Sequence, residues 1–460
     1  MDEILTYDID KMDSLNSQAV MKLIEKHKAK QVPHYQKLLD YYMGEQAILQ
    51  ETRVAGAPNA QVVCNHAKDI ADTSSGYFLG VPIAYSLKDD SKKNDFDMFQ
   101  DALDKATVTD DDQESALSLA IFGKCFEYDY AAEEVAELRA KSLSPLNAFV
   151  VYDQTIEHKK LFGVYYYQVV DPLNETGEPD TKVLVMTDSK LSYYTITAGS
   201  GDNVEPDKEE DHNLGQVPLI EYKNNNYAIG DFEQQISLID AYNTMTSDRI
   251  NDKAQFIDAI LVIYGAMLSD EDDTDDALDT LKAKKLLELP EGSNAEYLVR
   301  QLDENGMETL RDALKEDIYT FSHVPNLTDK EFAGNSSGVA MEYKLLGLEM
   351  LTKAKERWYR RGLRERIEMF LNYLGLQGGR LGEEDIEVTF SRSLPKNLVE
   401  LSQIVSNLAD DVSLETRLSL LPFVKDPKAE AEKVKVDEQG KEQATEKLFG
   451  KSNEAGSEND

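Results

Sequence analysis

The residues from Lys353 to Arg366 read Lys-Ala-Lys-Glu-Arg-Trp-Tyr-Arg-Arg-Gly-Leu-Arg-Glu-Arg, the one strongly basic stretch in an acidic chain, and they hold its single tryptophan. Cations beside an indole can grip phosphates and stack on bases, as single-strand binders do. The same residues can instead pair with acids on their own helix or on an adjacent subunit, with Trp358 packed in the core. Glu356, Glu365 and Glu368 interleave the cations at helical spacing, which favours this second reading.

A second charged cluster has the opposite sign. Asp270, Glu271, Asp272, Asp273, Asp275 and Asp276 form an almost unbroken acidic run. A calcium loop of the EF-hand type begun at Asp270 needs glycine at its sixth position and glutamate at its twelfth, where this chain has Asp275 and Leu281. The run reads as a solvated loop or an acidic rim facing a basic partner. The histidines, His27, His34, His66, His158, His212 and His323, do not cluster at ligand spacing. His27 and His34 could share a helix face, but a packed or solvated pair is the favoured account over a metal site. No phosphate-cradling Gly-x-x-x-x-Gly-Lys, no Gly-x-Gly-x-x-Gly and no His-Glu-x-x-His occurs, and no catalytic residue, metal or cofactor is expected.

The chain has 460 residues with 41% hydrophobic content, enough to bury a sizeable core divided among two to four domains. Its 49 Lys and Arg face 87 Asp and Glu, a net charge of −38, which argues against a conventional phosphate-gripping DNA binder. Screening limits that argument, because a charge is felt over roughly 8 Å at physiological salt, so the local sign at a contact counts for more than the total. Cys64 and Cys125 are too few for a disulfide framework, and the opening Met-Asp-Glu-Ile-Leu has no signal-peptide character; a reducing cytoplasm is expected. The most apolar run, Phe256 to Leu268, is too short for a bilayer span and contains Asp258.

Periodicity divides the chain into blocks. A helix is expected from Ser17 to Met43, stopped by Gly44, and another from Ala60 to Gly76, followed by a turn into an extended run; two more cover Phe96 to Leu103 and Asp111 to Phe122. From Cys125 to Tyr222 the period becomes two, with strands at 126–130, 149–152, 161–170, 182–186, 191–197 and 219–222: an antiparallel sheet. Gly199 to Asn213 reads as a mobile acidic loop. Helices at 231–256 and 303–323 bracket a small insert with a short helix at 277–285 and strands at 286–289 and 296–299. A helix from Gly338 to Leu374, a strand at Ile386 to Phe390 and a helical tail, polar after Pro427, complete an α+β chain.

Between the second bracketing helix and the long helix lies His323-Val-Pro-Asn-Leu-Thr-Asp-Lys-Glu-Phe-Ala-Gly-Asn-Ser-Ser-Gly-Val-Ala-Met-Glu-Tyr-Lys344. Pro325 ends one helix, Gly334-Asn335 suits a left-handed turn, and Ser336 or Ser337 can cap the next.

The chain resembles the portal proteins of tailed bacteriophages, in particular those of phages of Gram-positive hosts. The resemblance rests on Tyr41-Tyr-Met-Gly44, on Asn65-His-Ala-Lys-Asp-Ile-Ala-Asp-Thr-Ser-Ser-Gly-Tyr-Phe-Leu-Gly-Val-Pro82, on His323 to Lys344, and on Phe390-Ser-Arg-Ser-Leu-Pro395 with Asn397. It spans nearly the whole chain in order and is weakest after Pro427.

It implies a ring of twelve subunits at one capsid vertex, through which double-stranded DNA passes without sequence specificity during packaging and ejection. The implied partners are further copies of the chain, terminase, head-completion or adaptor proteins, and the major capsid and scaffold proteins, with no membrane. The virion is the implied location, with assembly in the host cytoplasm. Residues 1–230 would be a wing, 231–256 and 303–325 two stem helices, 257–302 a clip, 326–337 a tunnel loop, 338–390 the long helix returning to the wing, and 391–460 a crown and tail.

On this assignment Asp329, Lys330, Glu331, Phe332, Gly334, Asn335, Ser336 and Ser337 line the DNA channel, with Lys330 the transient phosphate contact. The acidic run becomes a clip surface for docking partners. Trp358 lies about 21 residues beyond Ser337, roughly 30 Å along a helix, too far for the loop's DNA. Arg357, Trp358, Arg360, Arg361 and Arg364 are therefore expected at subunit contacts or in wing packing. Two other classes stay open: a ring adaptor or scaffold that never meets DNA, and a carboxylate-metal nuclease.

Overall fold

A computed structural model describes residues 4–437, apart from 53–57, 133–136, 170–178, 198–203, 256–259, 265–291, 293, 299–303, 327–337, 393–397, 410, 422–423 and 425–426. Helices and antiparallel strands alternate in blocks, as the change of period in the sequence anticipates.

The N-terminal helical block departs from expectation in two places. The segment read as one helix is two, α1 (Ser17–Lys30) and α2 (Val32–Met43), which meet at Gln31. Pro33 causes the break: it lacks the N–H that a continuous helix would use but is tolerated in the first turn of a new one. Gly44 ends α2 at φ 89°, in the left-handed region. Helix α3 (His66–Leu79) starts later than Ala60, because the Asn65 side chain caps it by accepting from the Lys68 N–H.

The residues before it run as an extended strap along α6 (Ile236–Gln255). Asn243 and Asn251 carboxamides accept from the N–H groups of Cys64 and Ala60, and the Ser247 hydroxyl accepts from Val62. Side chains four apart on a helix repeat every ~6 Å. Alternate residues of an extended chain repeat every ~6.7 Å, so the two registers match.

Two further helices, α4 (Lys93–Lys105) and α5 (Val108–Phe122), lead into the sheets. Gly123, at φ +78°, makes the turn out of α5, where a β-carbon would lie 2.1 Å from the Ala228 carbonyl oxygen. Strand β1 (Ala84–Leu87) pairs with the distant β12 (Ile386–Thr389). A three-stranded sheet has the order β3-β2-β9, from β2 (Lys124–Ala131), β3 (Leu138–Leu143) and β9 (Leu219–Lys223).

The five-stranded sheet runs β4 (Ala148–Tyr152), β5 (Lys160–Val169), β6 (Asp180–Met186), β7 (Lys190–Ile196) and β8 (Lys208–Asp211) in sequential order. At 208–211, strand β8 corrects the reading of 199–213 as a mobile loop, while 199–203 lie outside the described residues. Its residues are polar because it is a short, exposed edge strand, where charge discourages further pairing; its register sets Leu191 opposite Glu210.

In the insert, β10 (Ile260–Tyr264) pairs with β11 (Asn294–Leu298). The apolar run that is too short for a membrane thus supplies a strand. The expected helix at 277–285 and strand at 286–289 lie outside the described residues. Helix α7 (Glu304–Ser322) follows the insert, and α8 (Gly338–Leu376) is the long helix. Beyond β12 come α9 (Leu398–Asn407), α10 (Leu414–Ser419) and a helical segment at 427–437.

Helix α8 runs through two apolar cores. One joins it to α3, α4, α5 and the three-stranded sheet through Phe78, Phe99, Leu119, Ile220, Tyr359 and Phe370. The other joins its first turns to α2, α3, α5, α6 and α7 through Tyr35, Ile70, Phe122, Ile239, Ile318 and Leu348. Gly362 sits where α8 crosses β9, and a β-carbon there would come within 2.5 Å of the Tyr222 ring. The missing side chain lets Tyr222 stack on Tyr359 at 4.4 Å. Separately, α1 covers one face of the five-stranded sheet through Val20, Ile24, Phe149, Phe162 and Val183.

Candidate functional site

Asp329 to Ser337, expected to form a channel loop, and the acidic residues Asp270 to Asp276 lie outside the described residues. The structure does describe what flanks them and the whole of the basic segment.

Helices α6 and α7 pair antiparallel. Arg249 donates to Glu304 at 3.1 Å and to Glu308, and Lys253 lies 3.2 Å from Glu304. Helix α7 ends at Ser322, and His323 takes φ 57°, a left-handed conformation suited to stopping a helix. The outer side of α7 carries exposed Asp312, Glu316 and Asp317 beside Ala313 and Thr320.

Helix α8 sorts the basic segment by orientation. Lys355, Tyr359, Leu363 and Arg366 share the buried face. The Lys355 ammonium donates to Asp231, a carboxylate that also accepts from Ser74 and Asn224. Arg366 is fully buried, donating through Nε to Glu127 at 2.7 Å and through a terminal nitrogen to Asp112 at 2.7 Å, with a second bond to Glu127. The Tyr359 hydroxyl donates to Asp112 at 2.8 Å.

Burial works against the Arg366 charge, but Asp112 and Glu127 hold its pKa well above the ordinary value. Burial raises the Asp112 pKa even against Arg366. Asp129, fully buried beside them, is pushed well above the carboxylate range by burial and then by Glu127. The guanidinium bonds to Asp112 and Glu127 and not to Asp129, so burial beside Glu127 disfavours the charged form of Asp129.

The other cations of the segment face outward. Exposed positions recur at Tyr343, Leu346, Met350, Lys353, Arg357, Arg361, Arg364 and Glu368, a stripe along α8. Trp358 is half-buried and not in the core: the helical phase gives the core position to Tyr359, and the indole lies under Arg361, whose guanidinium carbon is 4.0 Å from the ring centre. Arg364 reaches Glu383 at 3.3 Å. Arg360 is engaged within the chain, donating to Glu356 at 2.8 Å and to the Val388 carbonyl at 3.0 Å, over the Phe390 ring.

The segments that carried the family resemblance converge around α8. Tyr77 and Arg392 both donate to Glu349, at 2.9 and 2.8 Å, and Arg392 also donates to Glu356. Phe78 stacks on Phe390 at 5.8 Å with a 7° interplanar angle. Asn65 donates to the Tyr42 carbonyl at 2.9 Å and accepts from Gln46.

The His27 imidazole Nδ1 lies 2.9 Å from the Tyr166 hydroxyl in a buried setting, whereas His34 faces Glu233 at 3.3 Å. Both are structural positions. Among the described residues, no group of His, Cys, Asp or Glu is arranged to hold a metal ion, and no helix is long and apolar enough to cross a membrane.

Sequence reasoning missed the Arg366 network and the Asp231–Lys355 pair. A signal for the cations existed: Lys355, Tyr359, Leu363 and Arg366 follow the helical period of a core face. Nothing local announces their partners, which lie over a hundred residues away in the chain.

Comparison with known proteins accounts for the breadth of the architecture. The family model described as phage portal protein, SPP1 Gp6-like, matches residues 21–444. The portal protein of Bacillus phage SPP1 is 22% identical over 94% of this chain and 89% of its own length. The portal protein of Clostridium phage phiCD119 is 24% identical over 81% of this chain and 84% of its own. A solved chain from the neck of an empty gene transfer agent particle covers 77% of this chain and 90% of its own at 13% identity and a TM-score of 0.45. The match runs through both core blocks and the whole of α8, and this chain belongs to the SPP1 Gp6-like family of phage portal proteins.

Proposed function

We propose that the chain forms the ring at the unique capsid vertex, a homo-oligomer of about a dozen copies through which double-stranded DNA enters and leaves the head. The antiparallel α6–α7 pair, closed by Arg249, Lys253, Glu304 and Glu308, is the observation that carries this reading. It serves as a stem that presents the 257–302 insert as a clip for terminase and head-completion proteins, with Asp270 to Asp276 at the docking surface.

The chain then passes from α7 through residues 326–337, the tunnel loop, to α8. Exposed Asp312, Glu316 and Asp317 on α7 support a channel wall that repels phosphates and so keeps the sliding duplex from sticking. Lys330 is the loop's transient contact. Arg357, Trp358, Arg361 and Arg364 on the outward stripe of α8 meet a neighbouring subunit, and Arg360 braces the helix against β12. The product is a structural component of the virion and not an enzyme.

Mass measurement and negative-stain imaging of the purified protein test the proposal. Rings with a central hole are expected; a stable monomer at concentrations well above those used for imaging sinks it.

A further inference from the structure

Helix α8 carries three exposed arginines on one side. Arg357, Arg361 and Arg364 follow one another at helical-face intervals, and exposed Glu368 comes one turn later. The acids beside them are already engaged: Glu356 accepts from Arg360 and Arg392, and Glu365 accepts from Lys160. Arg364 lies 3.3 Å from Glu383 yet stays 69% exposed. Glu368 sits among like charges, since burial and then Glu383 and Glu365 raise its pKa.

A stripe of reversed sign lies on α4. Phe96, Phe99 and Leu103 hold that helix in the core, with Phe99 against Phe370 of α8. Lys93, Asp97, Asp101 and Asp104 are exposed on its other side. Among the described residues these four form no ion pair within the chain, and neither do Arg357 and Arg361. Lys105, next on the same side, is drawn instead to Glu137 at 3.5 Å.

We infer that the α8 stripe of one copy docks antiparallel on the α4 stripe of a second copy. Read in opposite directions, the two orders of charge are complementary: Arg357 meets Asp104, Arg361 meets Asp101, Arg364 meets Asp97, and Glu368 meets Lys93. The end residues of each stripe are equally far apart in sequence, about 16 Å along a helix, so the four pairs fit one register. A parallel alignment fails, because setting Arg357 beside Asp97 brings Lys353 against Lys93. Within one chain, α4 turns its apolar face to α8 and its acidic stripe away.

Exposed charge pairs contribute little each, and the same side of α8 adds apolar area at Leu346 and Met350, 52% and 66% exposed. The contact joins different surfaces of the two copies, so it propagates head to tail. It deepens the subunit contact proposed above and rests on that reading for ring closure alone.

The test is charge reversal in the full chain, followed by mass measurement and by the concentration at which assemblies dissociate. Arg357→Glu with Arg361→Glu makes both stripes acidic, and Asp101→Arg with Asp104→Arg makes both basic. Each variant alone should associate about tenfold or more weakly than wild type. An equimolar mixture of the two should assemble again, because unlike stripes then alternate. All four positions are exposed, so melting temperatures should stay at the wild-type value and separate lost contact from lost fold. Wild-type rings with either variant assembling normally alone, or with a mixture that stays dissociated, overturn the contact and leave the ring. Open chains in place of rings, lost in each variant and restored by mixing, uphold the contact and remove the ring. A monomeric wild type removes both.

Discussion

The two faces of helix α8 hold the same kinds of residue and use them in opposite ways. On one, Lys355 and Arg366 are buried against Asp231, Asp112 and Glu127; on the other, Arg357, Arg361 and Arg364 are exposed. Adjacent cations in one basic run are separated only by helical phase. The difference teaches that a charged run in sequence is not one functional unit. Its buried members join distant elements of one chain, and its outward members stay at the surface, where Arg361 lies over Trp358 and Arg364 reaches Glu383.

Breaking the buried face should have the largest effect. Arg366→Met leaves Asp112 and Glu127 without their shared donor and should cost about 3–5 kcal/mol, seen as a lower urea midpoint or loss of soluble protein. Lys355→Met comes next, since Asp231 keeps Ser74 and Asn224 as donors; about 2–4 kcal/mol is expected in the same measurement. Equal midpoints for wild type and both variants would erase the contrast between the faces.

Asp129→Asn should act in the opposite direction. The folded pKa of Asp129 lies well above its model value of 3.8, chiefly through burial. At a pH below 3.8 the carboxyl is protonated in both folded and unfolded chains and costs nothing. As pH rises past that value the unfolded chain gains stability by ionising, so the folded protein loses stability until pH passes the folded pKa. The asparagine variant removes that loss. Its melting temperature should pull ahead of wild type as pH rises from about 4 to 8, and a constant offset would refute the account in which burial disfavours ionised Asp129.

The smallest effect on the folded monomer belongs to the outward face. Arg357→Glu with Arg361→Glu should change stability by no more than about 1 kcal/mol, through the lost stacking of Arg361 on Trp358. The same pair should impair ring formation in mass measurements. Normal rings with failed DNA packaging would move these arginines out of the subunit contact.

Much of the fold was legible because period and punctuation are local. The switch from helical to alternating pattern at Cys125, the stop at Gly44 and the extent of α8 follow from side-chain spacing and backbone chemistry. The break at Gln31 was equally local, announced by Pro33 and overlooked. The strap at 60–64 was different: its residues could have extended α3, and only the presence of Asn243, Ser247 and Asn251 on a helix far along the chain holds it extended. Strand β8 was hidden because edge strands carry polar residues that resemble a loop.

The site divides in the same way. By itself the sequence determined the family, the α+β class, and the presence of a basic run in an acidic chain, since these are properties of residue order and of local periodicity. Only the tertiary structure decided which cations became part of the core, that Trp358 yields its core position to Tyr359, and that the five-stranded sheet meets β9 where Gly163 touches Leu219. Those outcomes depend on helix rotation and on the close approach of sheet to sheet at Gly163 and of helix to sheet at Gly362. Both are set by packing between segments remote in the chain, where burial makes an unpaired charge or a misplaced β-carbon costly.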